Sequence, residues 1–446
     1  MKLFLLLIEL IIIFSFCIFS IQNHIEYIEK NKIQPNTTDW DSSFGSSIAM
    51  NSEWMVIGAP EQQINYTKKG MVYIFKYETT NKTWEEKQNL TVENLTDHSF
   101  FGNNIILTES HIFIAAPEQE INGSLKAGSI YIFDYDSDNA TWNQTVNISA
   151  ETPRSSQKFG EIFDAGDNYL FVGDPIASDN GTQSGTVYFY MKNNYSIWEF
   201  VGNIYSSDIQ PYDNFGSSVA YYDNTLLVGA VSANRSGIIC GTVYYFNKTP
   251  SGWNQTQQFG PNFQFPFDYF GTSIARFGNI SVIGCPGEYL TSSTSGSVYV
   301  YELVNSTWQE MKKITPPDPY SASNFGQMVD IYEDSIMIND PQSNYTSGST
   351  GAFFMYAYSD SSLDWQFVSA LVPANSETTF FADGGGVLWD NISAIGVLST
   401  YLDSEMVTGI TFLFEKTDFP DNPNSSGSKI QVLFASFLVS LFMILL

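Results

Sequence analysis

The feature that most constrains this chain is self-similarity at a period of 55 to 58 residues. Phe-Gly recurs at Phe44, Phe101, Phe159, Phe215, Phe270 and Phe325, and Phe381-Ala382 stands in for a seventh. Fourteen residues after each of the first six Phe comes a small-residue stop: Gly58-Ala59-Pro60, Ala115-Ala116-Pro117, Gly173-Asp174-Pro175, Gly229-Ala230-Val231, Gly284-Cys285-Pro286 and Asn339-Asp340-Pro341. The seventh, Gly396-Val397-Leu398, arrives one residue late. Twelve or thirteen residues further on, Gly70, Gly128, Gly185, Gly241, Gly296, Gly351 or Gly409 opens an alternating aromatic and β-branched stretch. In six repeats a Trp follows it, at position 84, 142, 198, 253, 308 or 365.

Each unit reads as four short strands with period-two alternation and turn residues between them, without helical patterning. A lone four-stranded sheet cannot bury both faces, so such units stack, and radial stacking gives an all-β fold, a seven-bladed β-propeller of antiparallel strands. Closure is tested by spacing. In the five middle repeats the Trp lies 17 residues before the next Phe-Gly, and Tyr27 lies 17 residues before Phe44. The N-terminal strand is therefore expected to complete the last blade, which pairs the two ends of the ring and removes an exposed sheet edge. The propeller is assigned to residues 25–417.

Composition narrows the partners. Lys+Arg 19 against Asp+Glu 47 gives a formal net charge of -28, which leaves no electrostatic route to a phosphate backbone and excludes nucleic acid as a partner. The ends of the chain read as targeting segments. Residues 1–20 carry Lys2 and an apolar run from Leu3 to Phe19, as a secretory signal peptide does. After a polar linker, 418–429, the hydrophobic stretch 430–446 follows a cluster of small residues, so it is either a GPI-anchor signal or a short transmembrane helix. Both place the protein at the cell surface, on the extracellular side, through the secretory pathway.

Sequons agree with that compartment. Of 34 Asn, 19 stand in Asn-X-Ser/Thr, about three times what composition alone would give. The candidate glycosylation sites within the propeller are Asn36, Asn65, Asn81, Asn89, Asn94, Asn122, Asn139, Asn143, Asn147, Asn180, Asn194, Asn234, Asn247, Asn254, Asn279, Asn305, Asn344 and Asn391.

The Phe-Gly and Gly-Ala-Pro elements in this register resemble the FG-GAP repeats of integrin alpha-chain head domains, and the resemblance covers residues 25 to 417. It implies a seven-bladed propeller used for extracellular binding and adhesion. In that family some blades carry a calcium loop between their first two strands. Here those hairpins are tight, as at Asn51-Ser52-Glu53 and Asp167-Asn168, too short to wrap an ion, so the family's calcium sites do not carry over.

Alternating strand direction puts the Phe-Gly starts, the Gly-Ala-Pro ends and the blade connectors on one face. Two connectors are rich in aromatics and acids, and their residues Tyr212, Asp213, Phe263, Phe265, Phe267, Asp268 and Tyr269, with Tyr320 in the next, are the candidate ligand-binding set. Aromatic enrichment with few Lys suits a binding surface; the alternative is that these rings pack between blades. Cys240 and Cys285 fall on the same face beside adjacent blades and form the candidate disulfide. Asp134, Asp136 and Asp138 alternate as in oxygen-ligand loops and are the candidate Ca2+ ligands, a solvated acidic turn being the other reading. No other cofactor is expected.

Catalysis finds little support. Only His24, His98 and His111 exist, no Gly-X-Ser-X-Gly elbow or metal-binding His pair appears, and a sialidase-like site would have just Arg154, Arg235 and Arg276 to draw on. The expected function is non-enzymatic recognition of an extracellular protein or glycan. The alternatives are a structural surface coat without a discrete ligand and, third, a propeller hydrolase.

Overall fold

The described residues of the computed structural model are 25–36, 42–235, 237–261, 265–290, 293–317, 323–343, 351–360, 362–372, 384–402 and 405–418. The signal segment, the linker beyond Asp418, the hydrophobic stretch 430–446, Phe263, Tyr320, Asn344 and the Phe381-Ala382 pair lie outside them. Among the described residues there is no helix, hence none long and apolar enough to cross a membrane. They fall into two compact units, residues 29–414 and a smaller one containing Ile25–Ile28 and Glu415–Asp418.

Seven sheets of four antiparallel strands form the blades of a β-propeller. Blade one is Ile48–Met50, Trp54–Ala59, Met71–Glu78 and Thr83–Leu90; blade two is Ile105–Leu107, His111–Ala116, Ser129–Asp136 and Thr141–Ile148. Blade three is Ile162–Gly166, Tyr169–Asp174, Thr186–Lys192 and Trp198–Ile204; blade four is Phe215–Tyr222, Thr225–Ala230, Thr242–Thr249 and Gly252–Phe259. Blade five is Ile274–Phe277, Ile280–Cys285, Ser297–Val304 and Thr307–Ile314; blade six is Val329–Tyr332, Ser335–Asp340, Ala352–Ser359 and Asp364–Leu371. Blade seven is Gly386–Trp389, Ile392–Leu402 and Glu405–Asp418, and its fourth strand is the N-terminal Ile25–Ile33. Tyr27 is buried on that strand, as its spacing from Phe44 predicts.

The repeat elements have identifiable jobs. Second strands such as Trp54–Ala59 and His111–Ala116 are buried along their whole length, because a neighbouring blade covers each side, whereas the outer strand Gly252–Phe259 alternates inside and out. In four blades the ring of the Phe-Gly meets the Tyr of the third strand of its own blade edge-on: Phe44 to Tyr73 at 5.4 Å, and Phe101 to Tyr131, Phe215 to Tyr244 and Phe270 to Tyr299 at 5.6 Å. Such a pair contributes about 0.5–1.5 kcal/mol beyond the area it buries.

Blade-to-blade attachment uses the same residues. The Gly that opens a third strand bridges in parallel to the Phe of the next blade, as in Gly185 with Phe215 and Gly241 with Phe270, and Phe215 N–H donates to the Ser184 carbonyl at 2.9 Å. A serine three residues after the Phe donates to the following blade's Phe-Gly carbonyl: Ser47 to Gly102 at 2.7 Å, Ser218 to Gly271 at 2.6 Å and Ser273 to Gly326 at 2.9 Å. From blade seven to blade one the Gly385 N–H takes the serine's place and donates to the Gly45 carbonyl at 2.9 Å. At the rim, Gln88 and Gln257 exchange reciprocal hydrogen bonds with the backbones of Trp142 and Trp308 in the next blade.

Blade seven keeps the common ladder where it is described: Gly396 N–H donates to Gly385, eleven residues back, as Gly58 does to Ser47 and Gly284 to Ser273. A β-bulge between third and fourth strands, at Ile74/Phe75, Tyr245/Phe246 and equivalent places in six blades, is a repeated feature that alternation does not announce.

Candidate binding site on the connector face

Two connectors, Pro211-Tyr212-Asp213-Asn214-Phe215-Gly216 and Pro266-Phe267-Asp268-Tyr269-Phe270-Gly271, share a Pro-aromatic-Asp pattern on a backbone shape that the connectors into blades two and three also adopt, through left-handed His98 and Phe100 and left-handed Ser156 and Lys158. In each, the Asp turns inward and its Oδ2 accepts a backbone N–H three residues earlier, Gln210 N at 2.8 Å and Phe265 N at 2.7 Å. The residues on either side of the Asp have left-handed backbones: Tyr212 at φ 70 and Asn214 at φ 55, Phe267 at φ 68 and Tyr269 at φ 57. Phe215 and Phe270 enter the core with no exposed surface, while the rings of Tyr212, Phe267 and Tyr269 stand outward. Backbone bonds to the preceding blade hold this shape, Tyr212 N to Thr182 O at 2.8 Å and Phe267 N to Ile239 O at 2.7 Å.

The outward rings are solvent-exposed: Tyr212 58%, Phe265 57%, Phe267 57% and Tyr269 40%. The alternative that they pack between blades is therefore overturned for these four. Asp213 and Asp268 are instead buried turn residues. Burial lifts both carboxyls above the ordinary carboxylate range, against the opposing pull of the N–H bonds they accept. Their task is to shape the connector, and they do not present charge to a ligand.

Spacing alone missed two neighbours. Ile239, 41% exposed, lends its carbonyl to Phe267, and Tyr289, 53% exposed, follows Gly287, whose N–H donates to the Asp268 carbonyl at 3.0 Å. Both sit on small two-stranded ribbons after the second strands of blades four and five, Asn234–Arg235 with Ile238–Ile239 and Tyr289–Leu290 with Ser293–Thr294. A signal for them existed in the apolar residues within otherwise polar loops.

Below this surface Cys240 and Cys285 are both buried, and no disulfide joins them. The Cys285 thiol donates to the Asp268 carbonyl at 3.3 Å, and burial raises it well above the usual thiol range. Glu288 is held by the Ser297 hydroxyl, by the Tyr299 hydroxyl at 3.0 Å and by Lys313 at 2.5 Å.

The acidic hairpin of blade two does not gather its carboxylates. Asp134 Oδ1 meets His111 Nδ1 at 2.5 Å, and the other ring nitrogen faces Lys192 Nζ at 3.0 Å. Asp136 is spent on its own turn, accepting from the N–H groups of Asp138 and Asn139 and from Asn139 Nδ2. Among the described residues no three His, Cys, Asp or Glu are placed to hold a metal ion. Arg154 pairs with the buried Asp174, and Arg276 stacks over Tyr222 and Trp308, so these two do not converge.

The described sequon asparagines are all at the surface, with Asn247 and Asn391 half-buried and the other described ones exposed.

The geometry defines a class, a seven-bladed propeller stapled between blades by its Phe-Gly and Gly-Ala-Pro residues. The FG-GAP repeat profile matches residues 27–75, 198–246 and 253–301, setting Tyr27 where the other two matches begin with Trp198 and Trp253. The chain carries FG-GAP repeats at these three positions, and its seven blades fit an FG-GAP repeat propeller. No curated protein matches it. Among solved structures it is similar to the periplasmic gluconolactonase PpgL of Pseudomonas aeruginosa, at 11% identity over 78% of this chain and 95% of that one, with a TM-score of 0.46. It is similar also to Sqt1 of Saccharomyces cerevisiae, at 10% over 88% and 98% with a TM-score of 0.45. A protein from Lactobacillus plantarum is similar at 11% over 81% and 99%, with a TM-score of 0.48.

Proposed function

We propose that this protein is a non-enzymatic, membrane-anchored cell-surface glycoprotein whose connector face binds an extracellular protein or glycan. One observation carries the reading: large aromatic side chains are exposed at Tyr212, Phe267 and Tyr269, each on a left-handed backbone. Such a conformation costs of order 1–3 kcal/mol per non-glycine residue and persists only where the surroundings over-determine it. The same left-handed pair precedes the Phe-Gly of blades two and three, at His98 and Phe100 and at Ser156 and Lys158, so what marks these two connectors is the exposed rings, in which recognition surfaces are enriched. The cell-surface part rests on the two hydrophobic ends of the chain and on the surface position of its sequons.

The test replaces Phe265, Phe267 and Tyr269 by Ser in the ectodomain. Adhesion of cells to the coated ectodomain is expected to fall at least about tenfold, as for loss of a central aromatic cluster, while the thermal midpoint stays within a few degrees. Unchanged adhesion by a folded variant leaves the surface-coat reading in its place.

A further inference from the structure

One position recurs at the seams between blades. The residue ten after the Phe of each of the first six Phe-Gly motifs opens a second strand, with Trp54, His111 and Tyr169 in blades one to three. In those three blades it meets the residue seven after the third-strand Gly of the next blade. Trp54 packs on Tyr135 at 5.2 Å, the Lys248 ammonium donates to the Tyr169 hydroxyl and lies over its ring, and His111 Nε2 faces Lys192 Nζ at 3.0 Å. In blade four, Thr225 is reached instead by Arg276 of blade five. Of these four seams, the one between blades two and three alone holds an imidazole, the side chain whose ordinary titration lies between pH 5 and 8.

His111 is only 4% exposed, and its second ring nitrogen, Nδ1, lies 2.5 Å from Asp134 Oδ1 of its own blade. An ammonium can only donate and a carboxylate can only accept. Between two such partners the ring is neutral, with its proton on Nδ1 and a lone pair on Nε2. We propose that His111 is an acid-released latch between blades two and three, holding Lys192 through Nε2 at neutral pH and freeing it when that nitrogen takes a proton. The Asp134 bond survives the change, because Nδ1 carries its hydrogen in both forms. At Nε2 the new N–H would point at an ammonium 3.0 Å away, and the half-buried Lys192 has a way out to water. Other charges do not replace the contact. Asp167, on the first hairpin of blade three, accepts the Ser110 N–H at 3.3 Å, Glu199 is held by Asn193 at 2.6 Å, and Glu109 is exposed. The latch bears on a cleft: Trp198 meets the His111 ring at 6.1 Å and, with Tyr190 and Phe200, lines an opening of about 420 Å³ between the same two blades.

The full chain labelled at histidine gives ring nitrogen signals from His24, His98 and His111, and His111→Tyr, which copies Tyr169 of the next seam, assigns the one in question. At about pH 7.5 its Nε2 is expected to be bare and its Nδ1 protonated. Amide hydrogen exchange over Thr186–Lys192, corrected for the intrinsic effect of pH, is expected to quicken about threefold or more between about pH 7.5 and 5.5, the scale of losing one hydrogen bond. Thr242–Thr249, behind the Tyr169 seam, should show no such step, and Thr186–Lys192 should lose it in both His111→Tyr and Lys192→Met. A protonated Nε2 at about pH 7.5, a parent rate that does not change, or an equal step in either variant overturns the latch. An equal step over Thr242–Thr249 does so too, because the loosening would then be global.

Discussion

Replacing Gly185 by Ala tests whether blades are held by close backbone approach. Gly185 has φ +85, and a Cβ there would lie 2.0 Å from the Phe215 carbonyl oxygen of the next blade and 2.5 Å from its nitrogen. Both neighbours are backbone atoms of a buried connector, which cannot swing aside. The left-handed backbone alone costs roughly 1–2 kcal/mol with a side chain, and forcing the contact open adds about 1–3 kcal/mol. Gly123 isolates the first cost, since it has φ +84 and nothing within 4 Å of its would-be Cβ. At an unfolding entropy of about 2.1 cal/mol/K per residue, the unit spanning residues 29–414 loses a little over 1 °C per kcal/mol. Gly123→Ala should therefore lower the calorimetric midpoint by about 1–2 °C and Gly185→Ala by about 3–6 °C. Equal shifts for the two would refute the argument that the glycine is there to let the next blade's Phe-Gly come close.

Two further outcomes are expected. Asp164 and Asp330 lie on first strands within the ring and accept N–H bonds from the neighbouring blade, Tyr221 at 2.7 Å and Leu388 at 2.7 Å, yet the protein packed around them pushes each carboxyl up to about 6. The folded state then holds protons that the unfolded chain has released, so stability present below pH 4 is lost as pH rises from about 4 to 6, by about 3 kcal/mol per site. Asp164→Asn and Asp330→Asn, which keep an acceptor oxygen, should flatten the urea-midpoint profile over that window; a profile as steep as the parent's would contradict the assignment. The buried thiols of Cys240 and Cys285 should ignore an aromatic disulfide reagent at pH 8 in the folded protein and both react on unfolding without reductant, whereas an intact disulfide would release neither.

Much of the ring was legible because its signals are local. Phe44 and its equivalents, the third-strand Gly and the outer Trp each mark a fixed point of a strand, and Tyr27 betrayed the closing strand by spacing alone. In the seventh repeat the Phe381-Ala382 pair lies outside the described residues, and the Gly396–Gly385 bond is what ties that blade to the common ladder. The candidate site was half legible. Aromatic clustering at 265–269 pointed to a connector whose rings are exposed, but the sequence grouped Asp213 and Asp268 with the rings, and it could not say that one class turns in and the other out. That sorting comes from paired left-handed residues, and nothing in the residue types at Tyr212 or Phe267 asks for a positive φ. Ile239 and Tyr289 join the rings only because the blade ribbons fold back beside the connector.

By itself, then, the order of residues determined the blade count, the strand composition of each blade and the sharing of the last blade between chain ends, since period, alternation and glycine placement act within one repeat. Tertiary structure decided which aromatics stay in water, that two buried thiols are not joined, and that Asp134 serves His111 and Asp136 its own turn. These outcomes depend on what a neighbouring blade brings within bonding distance, and that neighbour lies some 50 residues away along the chain, beyond the reach of any local pattern.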